Sequence, residues 1–201
     1  MQPSTDLLAK YQRRLLETTW TANNVRSAFS TGVLVRRDVD KVYRGLYMQA
    51  VVRLERTLED LLIGLMSENI SHPRATTPHQ KFASKKVASH ILNRGRYEDL
   101  LPIEKLEKVS QIFFVTAGNP FMNCPGAIKQ EMVKVLTIRN YIAHESRFSE
   151  EKWRSNVVLP TILPVGRRDL LAYFQHTHAG AIDKFEFHMG EMLKCVRYFC
   201  T

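Results

Sequence analysis

One stretch of the chain constrains the fold more than any other: the 32 positions from Asp38 to Asn69. Val39, Val42, Tyr43, Leu46, Tyr47, Ala50, Val51, Leu54, Leu58, Leu61, Leu62, Leu65 and Met66 recur there at three- and four-residue steps. That is the period of a helix with one buried face, and Asp38 or Asp40 can cap its start. At 1.5 Å per residue such a helix is roughly 45 Å long, and a helix of that length normally serves as the spine of a bundle. Gly45 and Gly64 lie inside it and suit either a bend or a close helix approach.

The remaining pattern is helical almost throughout. Leu8, Tyr11, Leu15, Leu16 and Trp20 predict a first helix over about Thr5–Trp20, and Trp20, Tyr43 and Tyr47 read as core. Residues 21–37 read as a polar connector. Two prolines make His72–Pro78 a linker, and a helix is expected over about His79–Asn93 with Gly95 past its end. Pro102 suits the first turn of the next helix, which reaches about Val115. GNPFMNCPG at 118–126 reads as a loop. Pro125 opens a helix to about Ser146, residues 155–168 read as extended or loop, and Asp169–Phe199 is helical with a break expected near Gly180. The lone strand candidate, Val157–Leu163, contains Pro160, which argues against it. The expected fold class is all-α: one helical domain over 1–201, with an N-terminal helix and connector at 1–37 and a C-terminal loop and helical extension at 151–201.

Composition narrows the function. Of 201 residues, 29 are Lys or Arg and 20 are Asp or Glu, for a net charge of +9. A balance of that size favours polyanionic partners, nucleic acid before an anionic membrane surface. No apolar run approaches a membrane span, so no membrane partner is expected. The start, MQPSTDLLAKYQRRLLE, carries an acid and no continuous apolar stretch, which is not the pattern of a secretory signal. Three cysteines, Cys124, Cys195 and Cys200, have no CxxC spacing, and free thiols in a reducing cytoplasm are the simplest reading. Walker A, GxGxxG and zinc-ribbon spacings are absent, and no cofactor is expected.

The chemistry is concentrated in PGAIKQEMVKVLTIRNYIAHESR, residues 125–147. On an ideal helix, at about 100° per residue, Ile128, Met132, Val135, Leu136, Ile138, Ile142 and Ala143 form one apolar face, with Arg139 near its middle. A guanidinium keeps its charge in a protein, so Arg139 needs either a partner or an open face. Glu55 and Glu59, flanking the apolar face of the long helix, are candidate partners. Asn140 and His144 are four apart and share a neighbouring face. Arginine can instead snorkel, and a histidine at a helix end can be a plain dipole contact. The combination points to a polar site at a groove or interface.

The run Arg139-Asn140-Tyr141-Ile142-Ala143-His144 matches R-x4-H with a polar residue after the Arg, and here the chain resembles the HEPN superfamily. The long amphipathic helix upstream (VVRLERTLEDLLIGLM) adds to the resemblance, which covers roughly residues 38–150. It implies a helical bundle and a metal-independent endoribonuclease acting as a homodimer. It also implies a toxin or antiviral defence effector, with a cognate inhibitor or antitoxin as a further partner. Arg139, Asn140 and His144 would be the catalytic residues. RNA would be cut by its own 2′-OH, with His144 carrying protons and Arg139 gripping phosphate. One HEPN subgroup extends the motif to H-x-Y. This chain has His144-Glu145-Ser146 and departs from that pattern.

Two other sets of residues complete the expectations. Lys81, Lys85, Lys86, Arg94 and Arg96 lie in an acid-free segment and are candidate RNA contacts, against the alternative of a solvated helix face. His176, His178 and His188 are not expected to bind metal, since no carboxylate joins them at ligand spacing. Two rival functions stand beside the nuclease: a non-catalytic HEPN-like module that binds RNA or a protein partner, and a basic helical adaptor unrelated to that family.

Overall fold

The computed structural model describes residues 1–75, 78, 82–93, 100–159, 169–178 and 182–201. It is all-α. Among the described residues the elements are β1 (Gln2–Pro3), α1 (Ser4–Ser30), α2 (Arg36–Met66), β2 (Ile70–Ser71), α3 (Lys85–Asn93), α4 (Ile103–Phe113), α5 (Gly126–His144) and α6 (Arg147–Trp153). A π-helical turn at Arg154–Val158, α7 (Leu170–Phe174) and α8 (Lys184–Cys200) follow. No helix among these residues is long and apolar enough to cross a membrane.

The spine forms as its pattern requires. Val39, Tyr43, Tyr47, Ala50, Val51, Leu54, Leu58, Leu61, Leu62 and Leu65 are all buried on α2. Helix α1 departs from expectation in two ways. It continues to Ser30, through the stretch that read as a connector. Its buried stripe is Leu7, Tyr11, Leu15, Thr18 and Ala22, whereas Leu16 and Trp20 are exposed, Trp20 to 69%. Five residues separate Leu15 from Trp20, which turns the indole roughly 140° away from the stripe. Tyr11 and Leu15 are inward as the period predicts, but Thr18 and Ala22 take the inward positions that Leu16 and Trp20 would be expected to fill.

The chain divides into two compact units. One comprises Met1–Gln12, Arg53–Lys129 and Leu193–Thr201, and the other Arg13–Val52 and Gln130–Met192. In the first, Gln2 pairs with Ile70 and Pro3 with Ser71 in a short parallel bridge, a strand pair that two-residue segments give no sequence period to reveal. Gly64 permits it: a Cβ there would collide with the Ile70 side chain, so only glycine lets Ile70 fold back on α2. The Ser4 hydroxyl donates to the Cys200 carbonyl at 2.6 Å. Phe114, Phe121 and Phe199 pack in sequence nearby, with centroid separations of 6.4 and 5.8 Å. Lys129 binds Glu107 at 2.6 Å, tying the start of α5 to α4.

The second unit is built around aromatic rings. Tyr43 and Tyr47 of α2 meet Phe174 of α7 and Phe185 of α8, the closest pair being Tyr47–Phe174 at 5.0 Å. Asp183, buried just before α8, is paired with Arg26 of α1. The break expected within the C-terminal helical stretch falls between Phe174 and Lys184, and Gly180 itself lies outside the described residues.

Candidate functional site

Helix α5 carries the motif. Met132, Val135 and Ile138 form its buried stripe. Arg139 stands beside Ile138 at the edge of that stripe and is half-buried, while Asn140 and His144 are exposed. Ala143, expected on the apolar face, is exposed as well; that face is narrower than the ideal-helix projection suggests. Arg139 donates to the Asn140 side-chain oxygen at 3.0 Å, so the guanidinium is turned toward the polar side of the helix. Asn140 and His144 are one turn apart and share a face. Arg139 and His144 are five residues apart, which separates their Cα–Cβ directions by roughly 140°.

The end of α5 is sharply defined. Glu145 follows His144 with φ of +43°, the left-handed conformation that stops a helix, and its N–H bonds the Tyr141 carbonyl at 3.2 Å. Ser146 then caps α6 through a reciprocal box with Ser149, bonded at 3.1 and 3.2 Å. Two residues therefore separate the helices, and His144 sits at the corner.

Arg44 of α2 braces this corner. Its Nε donates to Asp40 at 2.7 Å and its NH1 to Glu145 at 3.2 Å, and its guanidinium lies 5.9 Å from the Tyr141 ring centre. Tyr141 in turn stacks on the buried Trp153 of α6, centroids 4.6 Å apart and planes 5° from parallel. Burial pushes the Tyr141 phenol upward, with Arg44 pulling it back. Nothing in the sequence announced Arg44, because Glu145, which it reaches, lies 101 positions away from it.

Glu55 is buried and Glu59 half-buried on the stretch of α2 that belongs to the first unit, whereas Arg139 belongs to the second. Lys85 and Lys86 open α3 and are exposed, with Ala88 and Leu92 buried behind them. Lys81, Arg94 and Arg96 lie outside the described residues. His178 contacts Lys184 Nζ at 2.7 Å, and His188 is fully buried with its Nε2 2.8 Å from the Tyr173 hydroxyl. No cluster of three or more His, Cys, Asp or Glu side chains among the described residues could hold a metal.

No protein-family model, curated protein or solved structure matches the chain.

Proposed function

We propose that this protein is a HEPN-like endoribonuclease that cuts RNA through attack of a 2′-OH on the adjacent phosphate. The observation that carries the reading is the corner of α5. His144 and Asn140 are exposed one turn apart, and Arg139 donates to the Asn140 side chain. This puts a general acid–base group and a permanent cation on the last turns of one helix, on a basic chain, at a surface a polyanion can reach.

The reaction requires a proton to leave the 2′-oxygen and another to reach the departing 5′-oxygen. The new bond joins the 2′-oxygen to phosphorus and the broken one releases the 5′-oxygen, giving a 2′,3′-cyclic phosphate and a 5′-hydroxyl. Arg139 would stabilise the extra charge on the phosphoryl oxygens. One chain supplies one motif histidine, and its Arg139 and His144 leave the helix in divergent directions. Two copies related by a two-fold axis would supply an acid and a base and would bring the arginine of each within reach of the histidine of the other. The setting of a toxin or antiviral effector in the cytoplasm, restrained by an inhibitor protein, follows from the resemblance and belongs to this proposal.

The test is cleavage of end-labelled single-stranded RNA in excess chelator by the parent protein and by His144→Ala. Cutting that leaves a cyclic phosphate, fails on RNA with a 2′-deoxy at the cut site and is lost in a folded His144→Ala supports the reading. Retained cutting by that variant overturns it. RNA binding without cutting would favour the non-catalytic module instead. Light scattering that showed a fully active monomer would remove the two-fold arrangement.

A further inference from the structure

Helix α6 has a clear inner face. Ser149 and Trp153 are buried, and the stripe continues into the π-helical turn with Val157. Phe148 precedes Ser149 by one residue, which rotates it roughly 100° off that stripe. The residue is accordingly 65% exposed. No packing requirement places a phenylalanine there.

The ring is not bare. Lys152, one turn on, holds its ammonium 4.6 Å from the Phe148 ring centre. Lys152 makes no ion pair with a described residue, although two carboxylates, Glu150 and Glu151, directly precede it in the chain. Glu151 is taken by Arg147 at 3.0 Å, Glu150 by Arg154 at 2.5 Å and Glu145 by Arg44 at 3.2 Å. The acids of this corner are thus neutralised by arginines, and the lysine charge stays with the ring. Four residues separate Phe148 from His144, at most about 14 Å between Cα atoms.

We infer that Phe148 and Lys152 form a subsite for a nucleotide of single-stranded RNA beside His144, the base stacking on the ring and the adjoining phosphate meeting the ammonium. The inference rests on the RNA-cleaving reading above and adds to it the side chains that would hold an unpaired base and its phosphate. Aromatic stacking tolerates any base, and duplexed bases are not free to stack on a side chain, so the subsite selects unpaired RNA without selecting sequence. A purely apolar protein surface fits less well. An apolar surface closing on Phe148 would bury an ammonium that has no carboxylate, at considerable cost.

Binding is measured on the His144→Ala protein, so that the RNA stays intact, with a short single-stranded RNA carrying 2-aminopurine. Anisotropy reads affinity and 2-aminopurine quenching reads stacking. Adding Phe148→Ala should weaken binding about tenfold and abolish the quench, within the range measured for base–aromatic contacts. Phe148→Tyr keeps an aromatic face and should bind within about twofold of the parent, as preserved stacking requires. Lys152→Gln should reduce the log–log salt slope by about 0.7, the share of one single-strand phosphate. Affinity unchanged by Phe148→Ala overturns the subsite, as does a variant whose sole defect is loss of a dimer. Cleavage by the parent protein separates the two ideas. A cutting parent with Phe148→Ala binding normally removes the subsite and keeps the nuclease. A parent that never cuts, with binding still dependent on Phe148, removes the nuclease and keeps the subsite.

Discussion

Arg44 on α2 reaches Glu145 at 3.2 Å, the residue immediately after His144, while its Nε is held by Asp40 at 2.7 Å. One guanidinium therefore connects the first turns of the spine to the terminus of the motif helix. Its side chain is about a quarter exposed, and Glu145 is largely exposed, so solvent screens the outer bond more than the inner one.

Replacing Arg44 should loosen this corner. Arg44→Ala is expected to cost about 1–2 kcal/mol, because it removes a charged hydrogen bond to Asp40 and the cover over Tyr141. Arg44→Lys should recover only part of that, since an ammonium cannot fork between two carboxylates as a guanidinium does. Urea unfolding of the three proteins measures the order. On the proposed nuclease reading, RNA cleavage would fall in parallel, with KM affected less than kcat if the defect is in placing His144.

Glu145 holds a left-handed φ of +43° that costs most residues about 1 kcal/mol relative to glycine. Glu145→Ala loses the Arg44 contact and keeps the strain. Glu145→Gly loses the same contact and relieves the strain, so it should be more stable than the alanine variant by about 1 kcal/mol. A thermal melt in which alanine equals or exceeds glycine would show that the turn is not strained.

Acid should destabilise the second unit through His188. Burial, reinforced by Lys184, Lys134 and His178, lowers its pKa from 6.5 to about 3. The unfolded chain takes up a proton near pH 6.5, whereas the native one stays neutral until about pH 3. The stability this neutral imidazole preserves is complete above pH 6.5 and declines as pH falls toward 3, by about 1.4 kcal/mol per unit. His178, also lowered, first by burial and then by Lys184, acts in the same direction. Unfolding midpoints between pH 7 and 5 should drop less steeply in His188→Gln than in the parent.

The three cysteines should resist modification in the native state. All are buried and free. Burial raises Cys124 to about 11 and Cys200 to about 12, and drives Cys195 upward too. A disulfide reagent at pH 8 should label almost none of them natively and all three in denaturant. Rapid native labelling of even one would contradict the burial of that thiol.

Periodicity located the spine and the motif helix because their inward residues are large and apolar: Tyr43 and Tyr47 on α2, Val135 and Ile138 on α5. It misjudged α1 because Thr18 and Ala22 face inward there while Trp20 does not. The candidate triad was legible as a local string, Arg139-Asn140…His144, and helix geometry then gave the divergence of its ends. Arg44, Glu145 and the Tyr141–Trp153 stack were not legible. Their meaning arises from contacts between distant segments, and a lone Arg or Glu in sequence looks like any solvated charge. Phe148 was readable in principle, as an aromatic out of phase with Ser149, Trp153 and Val157, but its significance depends on the lysine found above its ring.

The stacking of Trp153 on Tyr141 has an optical consequence. The chain contains two tryptophans. Trp20 stands in water, open to any collisional quencher, whereas Trp153 is sealed at 1% exposure with its ring against Tyr141. Iodide added to the solution silences the first and spares the second. The light that persists comes from a chromophore already stationed at the junction of α5 and α6, so occupancy of the His144 corner can be followed by emission without attaching a label.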